Sequence, residues 1–155
     1  MEIRKADIAE IPLMRDIMVR SFRSAFAAFV SEETMTACTN EKNCLALLEG
    51  VYREPTMHFL TDGKCGMLVW QEQKDCAEIV ALHTLPESRG TGLGRALLEE
   101  ALHAIGSRPV FLWAFRENTR ARRFYEKNGF RQDGASRVSE FDGAVEVRYT
   151  KEVQP

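Results

Sequence analysis

The period of hydrophobic positions changes several times along the chain, and each change predicts an element boundary. Residues 2–6 (EIRKA) suit a short strand. Ile11, Met14, Met18 and Phe22 then recur at helical spacing. Asp7, with Glu10 three residues on, reads as a capping box opening that helix, and Pro12 is tolerable because it falls near the first turn. A second helix is expected from a Ser31 cap to Tyr52, with Cys44, Leu45, Leu47, Leu48 and Val51 on its apolar side and Pro55 ending it. From Met57 the period shortens. MHFLT (57–61), Asp62-Gly63 and KCGMLVWQ (64–71) predict a hairpin closed by a tight type I′ turn. CAEIVALHTL (76–85) follows as a third, largely apolar and therefore central strand, closed by Pro86.

In the second half Leu93, Leu97, Leu98, Ala101, Leu102 and Ile105 make one wide stripe over a helix at 92–105, with Gly106 as its C-terminal cap. PVFLWAF (109–115) is a buried strand reached through that crossover helix, so 76–85 and 109–115 are expected to be parallel neighbours. Asn118 caps a helix whose Ala121, Phe124 and Tyr125 share a face, and Gly129 ends it. A strand at 130–138, a second Asp-Gly turn at 142–143 and the alternating AVEVRYT (144–150) complete the order β-α-α-β-β-β-α-β-α-β-β. This is an α/β (α+β) chain, read as one domain over 1–155.

Composition adds exclusions. A hydrophobic content of 45% with 28% charged residues is that of a globular protein. A formal charge of −2 disfavours a nucleic-acid binder held by net positive charge. No stretch approaches the roughly 20 apolar residues of a membrane span, and the charged N-terminus lacks a signal-peptide core, so no membrane partner and a cytoplasmic location are expected. Cys38, Cys44, Cys65 and Cys76 form no C-x-x-C pair and no metal-ligand spacing with histidine, and are read as reduced, mostly buried thiols with no metal. The charge is unevenly spread. Residues 86–131 carry nine Lys/Arg against five Asp/Glu, residues 1–85 nine against thirteen, and residues 132–155 three against five.

At the start of that basic block lies the most informative segment, Leu85-Pro-Glu-Ser-Arg-Gly-Thr-Gly-Leu-Gly-Arg95. Glycines at 90, 92 and 94 let the backbone turn tightly at a helix N-terminus and bring N–H groups toward a ligand, which makes an anion site. A dinucleotide-type G-x-G-x-x-G fails, because Arg95 stands where a start at Gly90 needs glycine and Leu97 where a start at Gly92 does. The Gly-Lys-Ser/Thr of a nucleoside-triphosphate loop is also missing.

Arg89-Gly90-Thr91-Gly92-Leu93-Gly94 matches Q/R-x-x-G-x-G/A, and Asn118 to Phe130 matches N-x-x-A-x-x-x-Y-x-x-x-G-F. In these two ordered blocks the chain resembles the GNAT superfamily of acyl-CoA-dependent N-acyltransferases. The resemblance implies a mostly antiparallel mixed sheet with helices on both faces, whose parallel central strands 76–85 and 109–115 splay apart. It implies acetyl-CoA as cofactor, its pyrophosphate held by the backbone of Arg89, Gly90, Thr91, Gly92, Leu93, Gly94 and Arg95. The pantetheine would lie along Leu82, His83, Thr84 and Leu85, with Asn118 and Tyr125 also at the cofactor. Arg120, Arg122, Arg123 and Lys127 are candidates for its 3′-phosphate or adenine.

Acetyl transfer in such proteins is direct attack by a neutral amine. Tyr125 stands at the general-acid position, and Glu78 and His83 are the candidate bases, acting through water. Five residues separate them, so a regular strand would place them on opposite faces unless a bulge intervenes. The acceptor, a small-molecule or peptide amine, is expected among the first helices and the C-terminal hairpin. There Phe22, Phe26 and Phe29 would form an aromatic wall with Glu32 or Glu33 at its edge, and the acidic remainder of the chain would face the cationic amine. Two alternatives stay open: a CoA- or acyl-CoA-binding module without catalysis, and a toxin acetylating aminoacyl-tRNA, which the acidic acceptor side disfavours. The C-terminal strands offer an edge on which a homodimer could pair.

Overall fold

The computed structural model describes residues 2–139 and 143–152. Along the chain run β1 (Arg4–Lys5), α1 (Ile11–Phe26), α2 (Glu32–Cys38), α3 (Glu41–Tyr52), β2 (Met57–Thr61), β3 (Gly66–Glu72), β4 (Ala77–Thr84), α4 (Leu93–Ile105), β5 (Val110–Phe115), α5 (Thr119–Lys127), β6 (Arg131–Val138) and β7 (Val145–Lys151). The strands form one sheet in the order β1-β2-β3-β4-β5-β7-β6, with every pairing antiparallel except β4 with β5. No helix of the described residues is long and apolar enough to cross a membrane.

Each face of the sheet buries its own core. On one side Leu93, Leu97, Leu98, Ala101 and Ile105 of α4 meet Leu68, Trp70, Ile79 and Leu112, joined by Tyr125 of α5. The stripe on α4 is what drives this contact, since about 25 cal/mol is gained per Å² of apolar surface removed from water. On the other side Ile11, Met14 and Ile17 of α1 and Leu48 of α3 cover Phe59, Met67 and Val69.

Three expectations need correction. The helix predicted over 31–52 is two helices, because Asn40 interrupts it: its extended backbone (φ −64°, ψ 118°) lets its side chain accept the Asn43 N–H at 3.0 Å and cap α3. Ser31 caps α2 in the same way, accepting the Thr34 N–H. The Asp62-Gly63 hairpin is not a two-residue turn. Its loop is residues 62–65, and Asp62 Oδ1 accepts the N–H groups of Lys64, Cys65 and Gly66 at 3.0, 2.8 and 3.0 Å. Burial pushes that carboxyl up, but these backbone donors hold it below its ordinary value. The four cysteines are all thiols, but among them Cys44 alone is fully buried. The second Asp-Gly turn falls partly outside the described residues; Gly143 itself has φ +68°.

Two features of the sheet make a site. β4 pairs with β5 through Ala77–Val110, Glu78–Phe111 and Ile79–Leu112 and no further, so the strands part beyond Ile79. Between Ile79 and Ala81 the register of β4 against β3 slips by one residue: Trp70 faces Ile79 while Val69 faces Ala81, leaving Val80 as a bulge.

Candidate active site

The glycine loop lies directly beyond the point where β4 leaves its partner. Pro86–Ser88 form a single 3-10 turn, and α4 starts at Leu93 from an N-cap Gly92 with φ +87°. At that angle a side chain would strain the backbone, so glycine is needed there for conformation, not for space. The N–H groups of Gly92, Leu93, Gly94 and Arg95 have no acceptor among the described residues, and they point from a helix start that carries partial positive charge. Two ties hold the loop against α1. Arg20 spans to Glu87 at 2.9 Å and Arg89 donates to Ser24 Oγ at 2.9 Å.

A cavity of about 370 Å³ opens at this loop, lined among others by Ser88, Arg89, Gly90, Gly92, Gly94 and Arg120. Burial and the neighbouring Arg120 charge hold the Arg89 guanidinium below its ordinary value. Two like charges facing one cavity, with four unpaired amides beside them, make an arrangement that an anion would relieve. Arg95 also lines this cavity, though its side chain is exposed and paired with Glu99 at 2.8 Å. Arg122 is committed elsewhere, to the Tyr149 hydroxyl at 3.0 Å and the Arg116 carbonyl at 2.9 Å, and neither Arg123 nor Lys127 reaches the cavity.

A second cavity of about 560 Å³ lies on the α1 and α3 side of the gap. Phe22 and Phe26 form part of its wall, 4.4 Å apart edge to face, and Phe26 packs on Phe115 at 5.1 Å. Phe29 completes the cluster behind them without lining the cavity. The two cavities share Phe26, Leu82, His83, Asn118, Ala121 and Tyr125. Asn118 also caps α5, accepting the Ala121 N–H at 3.1 Å.

Tyr125 is buried at this junction. Its ring packs on Phe124 and Phe130 at 5.2 and 5.8 Å, its hydroxyl has no hydrogen-bond partner among the described residues, and burial pushes its phenol well above the usual range. It therefore stays protonated at neutral pH. His83 Nδ1 sits 3.2 Å from Ser21 Oγ, and burial pushes its imidazole down to about 4, so the ring is neutral. Because the folded protein resists protonating His83, the stability it contributes is complete above pH 6.5 and is lost as the pH falls toward 4. In His83→Gln that loss should disappear. Denaturant midpoints measured across this interval should slope less steeply than in the parent, and identical slopes would show that His83 does not cause the effect.

The bulge at Val80 overturns the expected placement of Glu78 and His83 on opposite faces. Glu78, Ala81 and His83 pair with Gln71, Val69 and Met67, which alternate along β3 and so share one face, that of α1 and α3. Burial pushes the Glu78 carboxyl up and Glu146 adds to the rise, while Arg137 pulls it down. Glu78 itself is not among the lining residues of the large cavity; Glu146 is, paired with Arg137 at 3.0 Å. Arg137 in turn stacks on Trp113 at 4.2 Å, and Trp113 is also in the wall. Sequence reading missed Glu146 and Trp113, since their common face depends on the register of β5 with β7. The acidic excess outside the basic block mostly lies elsewhere: Glu32 and Glu33 are exposed and outside the cavity.

Comparison with known proteins returns consistent results. A family model described as an acetyltransferase (GNAT) domain matches residues 51–132. A protein of Archaeoglobus fulgidus named an uncharacterized N-acetyltransferase is 32% identical over 143 residues, 85% of this chain and 94% of the relative. A mycothiol acetyltransferase of Beutenbergia cavernae is 37% identical over 113 residues, 66% of this chain, which is 37% of that relative's length. Among solved structures, the PaiA N-acetyltransferase from Thermoplasma acidophilum, crystallised with coenzyme A, superposes with a TM-score of 0.79 over 98% of both chains at 22% identity.

Proposed function

Because the chain belongs to the GNAT family of acetyltransferases, we propose that it transfers the acetyl group of acetyl-CoA to a primary amine by direct attack where β4 and β5 part. Acetyl-CoA supplies the acyl group as an activated thioester. The unpaired amides at the start of α4 hold its pyrophosphate, with Arg89 and Arg120 flanking, and the open edge of β4 from Leu82 to Leu85 receives the pantetheine amides like an added strand.

Acid and base work from opposite sides of the gap. Tyr125 packs into the α4 and α5 core and keeps its proton for the departing CoA thiolate. Glu78 and His83 occupy the other face, where an amine entering from the large cavity must lose a proton. The raised Glu78 carboxyl is the better acceptor of the two, and the neutral His83, able both to donate and to accept, links the chain of waters to it.

The observation that carries this reading is the junction of an anion-shaped cavity and an apolar one at Tyr125 and His83. Release of free thiol from acetyl-CoA, followed across a panel of primary amines alongside calorimetric CoA binding, tests it. Amine-dependent thiol release is expected. CoA binding with no amine-dependent release would leave a binding module in place of an enzyme.

A further inference from the structure

The walls of the large cavity say more about the acceptor than the family does. Met18, Val19, Phe22, Leu47, Val80 and Trp113 give it an apolar surface. Two of these are also anomalies of the molecular surface. Four large hydrophobic residues are exposed among the described residues, and Leu47 (61%) and Val80 (44%) both sit on this one cavity. Exposed apolar side chains gathered at a cavity, not scattered singly, mark a surface that meets an apolar ligand.

Charge restricts the ligand further. Among the described lining residues the single acidic side chain is Glu146, and no lysine or arginine lines the cavity. Behind it the charges are two carboxylates, Glu78 and Glu146, against one guanidinium, Arg137; the adjacent Arg148 is matched by Asp133. That end therefore sets two acidic side chains against one guanidinium not otherwise matched, an arrangement suited to one ammonium. A polyamine would leave its further cations against apolar walls, and an amino acid would leave its carboxylate without a cationic partner.

Resting on the acetyl-transfer reading, we propose that the acceptor is an amine of one positive charge with an apolar aryl or alkyl body, seated between Phe22, Leu47 and Trp113 with its ammonium toward Glu146. Leu47, at the rim on α3, is then a specificity-determining residue.

The test measures calorimetric binding to the CoA-loaded chain, and thiol release from acetyl-CoA, for 2-phenylethylamine, n-octylamine, spermidine and phenylalanine. The first two should bind at least tenfold more tightly than the last two. Leu47→Glu, at a position 61% exposed on α3, should weaken the apolar amines about tenfold, narrow the gap to spermidine and leave CoA affinity unchanged. Spermidine or phenylalanine binding as tightly as 2-phenylethylamine, an unaffected Leu47→Glu variant, or no binding of the apolar amines would each overturn the assignment. The two readings fail separately. Ordered binding without thiol release would keep the acceptor class and sink acetyl transfer, whereas thiol release fastest with spermidine would keep acetyl transfer and sink the acceptor class.

Discussion

Tyr125→Phe should lower kcat by about 10²-fold, the usual contribution of a positioned general acid, while CoA affinity stays within about twofold. The substitution isolates the proton. The hydroxyl has no partner among the described residues, so its removal orphans no donor or acceptor, and the ring contacts to Phe124 and Phe130 survive unchanged. Burial holds the phenol above its ordinary range, which makes it a reluctant acid in isolation. The same apolar surroundings disfavour a bare thiolate, so the proton is wanted most where it is held most tightly. Steady-state thiol release with saturating amine gives kcat, and calorimetry with CoA gives the affinity. Unchanged kcat would remove Tyr125 from the chemistry. A parallel loss of CoA affinity would make it a packing residue.

The largest effect on stability should come from Leu97→Ala. Leu97 is fully buried one turn into α4, packed over β3 at Gly66, where an added Cβ would lie 2.8 Å from Leu97 Cδ1 and 2.9 Å from Leu93 Cδ2. Helix and strand approach closely because residue 66 has no side chain, and Leu97 fills the space that remains. Truncating a leucine in such a site costs about 3–5 kcal/mol, against the roughly 5–15 kcal/mol that separates most folded domains from their unfolded chains. CoA at a hundred times its dissociation constant should restore about 2.7 kcal/mol, since a ligand that binds the folded chain alone stabilises it by mass action. Urea titrations of parent and variant, with and without CoA, measure both quantities. A loss under about 1 kcal/mol would mean that the surrounding side chains close over the gap.

Much of this fold could be read from the sequence, and the misreadings have local causes. The stripe Leu93, Leu97, Leu98, Ala101, Leu102, Ile105 predicted α4 to within a residue because helical periodicity is a property of the segment itself. The parallel pairing of β4 and β5 followed from the crossover. The break at Asn40 is a cap that the letters do carry, since asparagine favours helix ends over interiors, but the apolar positions that place the helix, Cys44 to Val51, all lie after it and leave the start at Ser31 or at Asn40 equally open. The glycines of the loop pointed to backbone N–H groups left free at a helix start, and the unpaired amides sit where those letters put them. Trp113 and Glu146 were not legible. Which residues on β5 and β7 share a wall is a matter of register between strands some thirty residues apart, and register leaves no mark in either strand's own pattern. The four basic residues on α5 looked alike in sequence; the fold separates Arg120, which faces the loop cavity, from Arg122, which is tied to Tyr149.

The extra residue in β4 has one more effect, on which sequence changes the strand can accept. Val80 is half-exposed and opposes no residue of β3, so many other side chains would fit at that position. Losing that one residue is also compatible with the sheet. Ile79 and Ala81 already face Trp70 and Val69, which are adjacent on β3, so without Val80 the strand would alternate regularly and Ala81, Leu82 and His83 would keep their partners and their faces. Losing Ile79 as well would carry all three to the opposite face and turn His83 toward the α4 side, so a one-codon deletion at 80 should be far better tolerated than a two-codon deletion of 79 and 80.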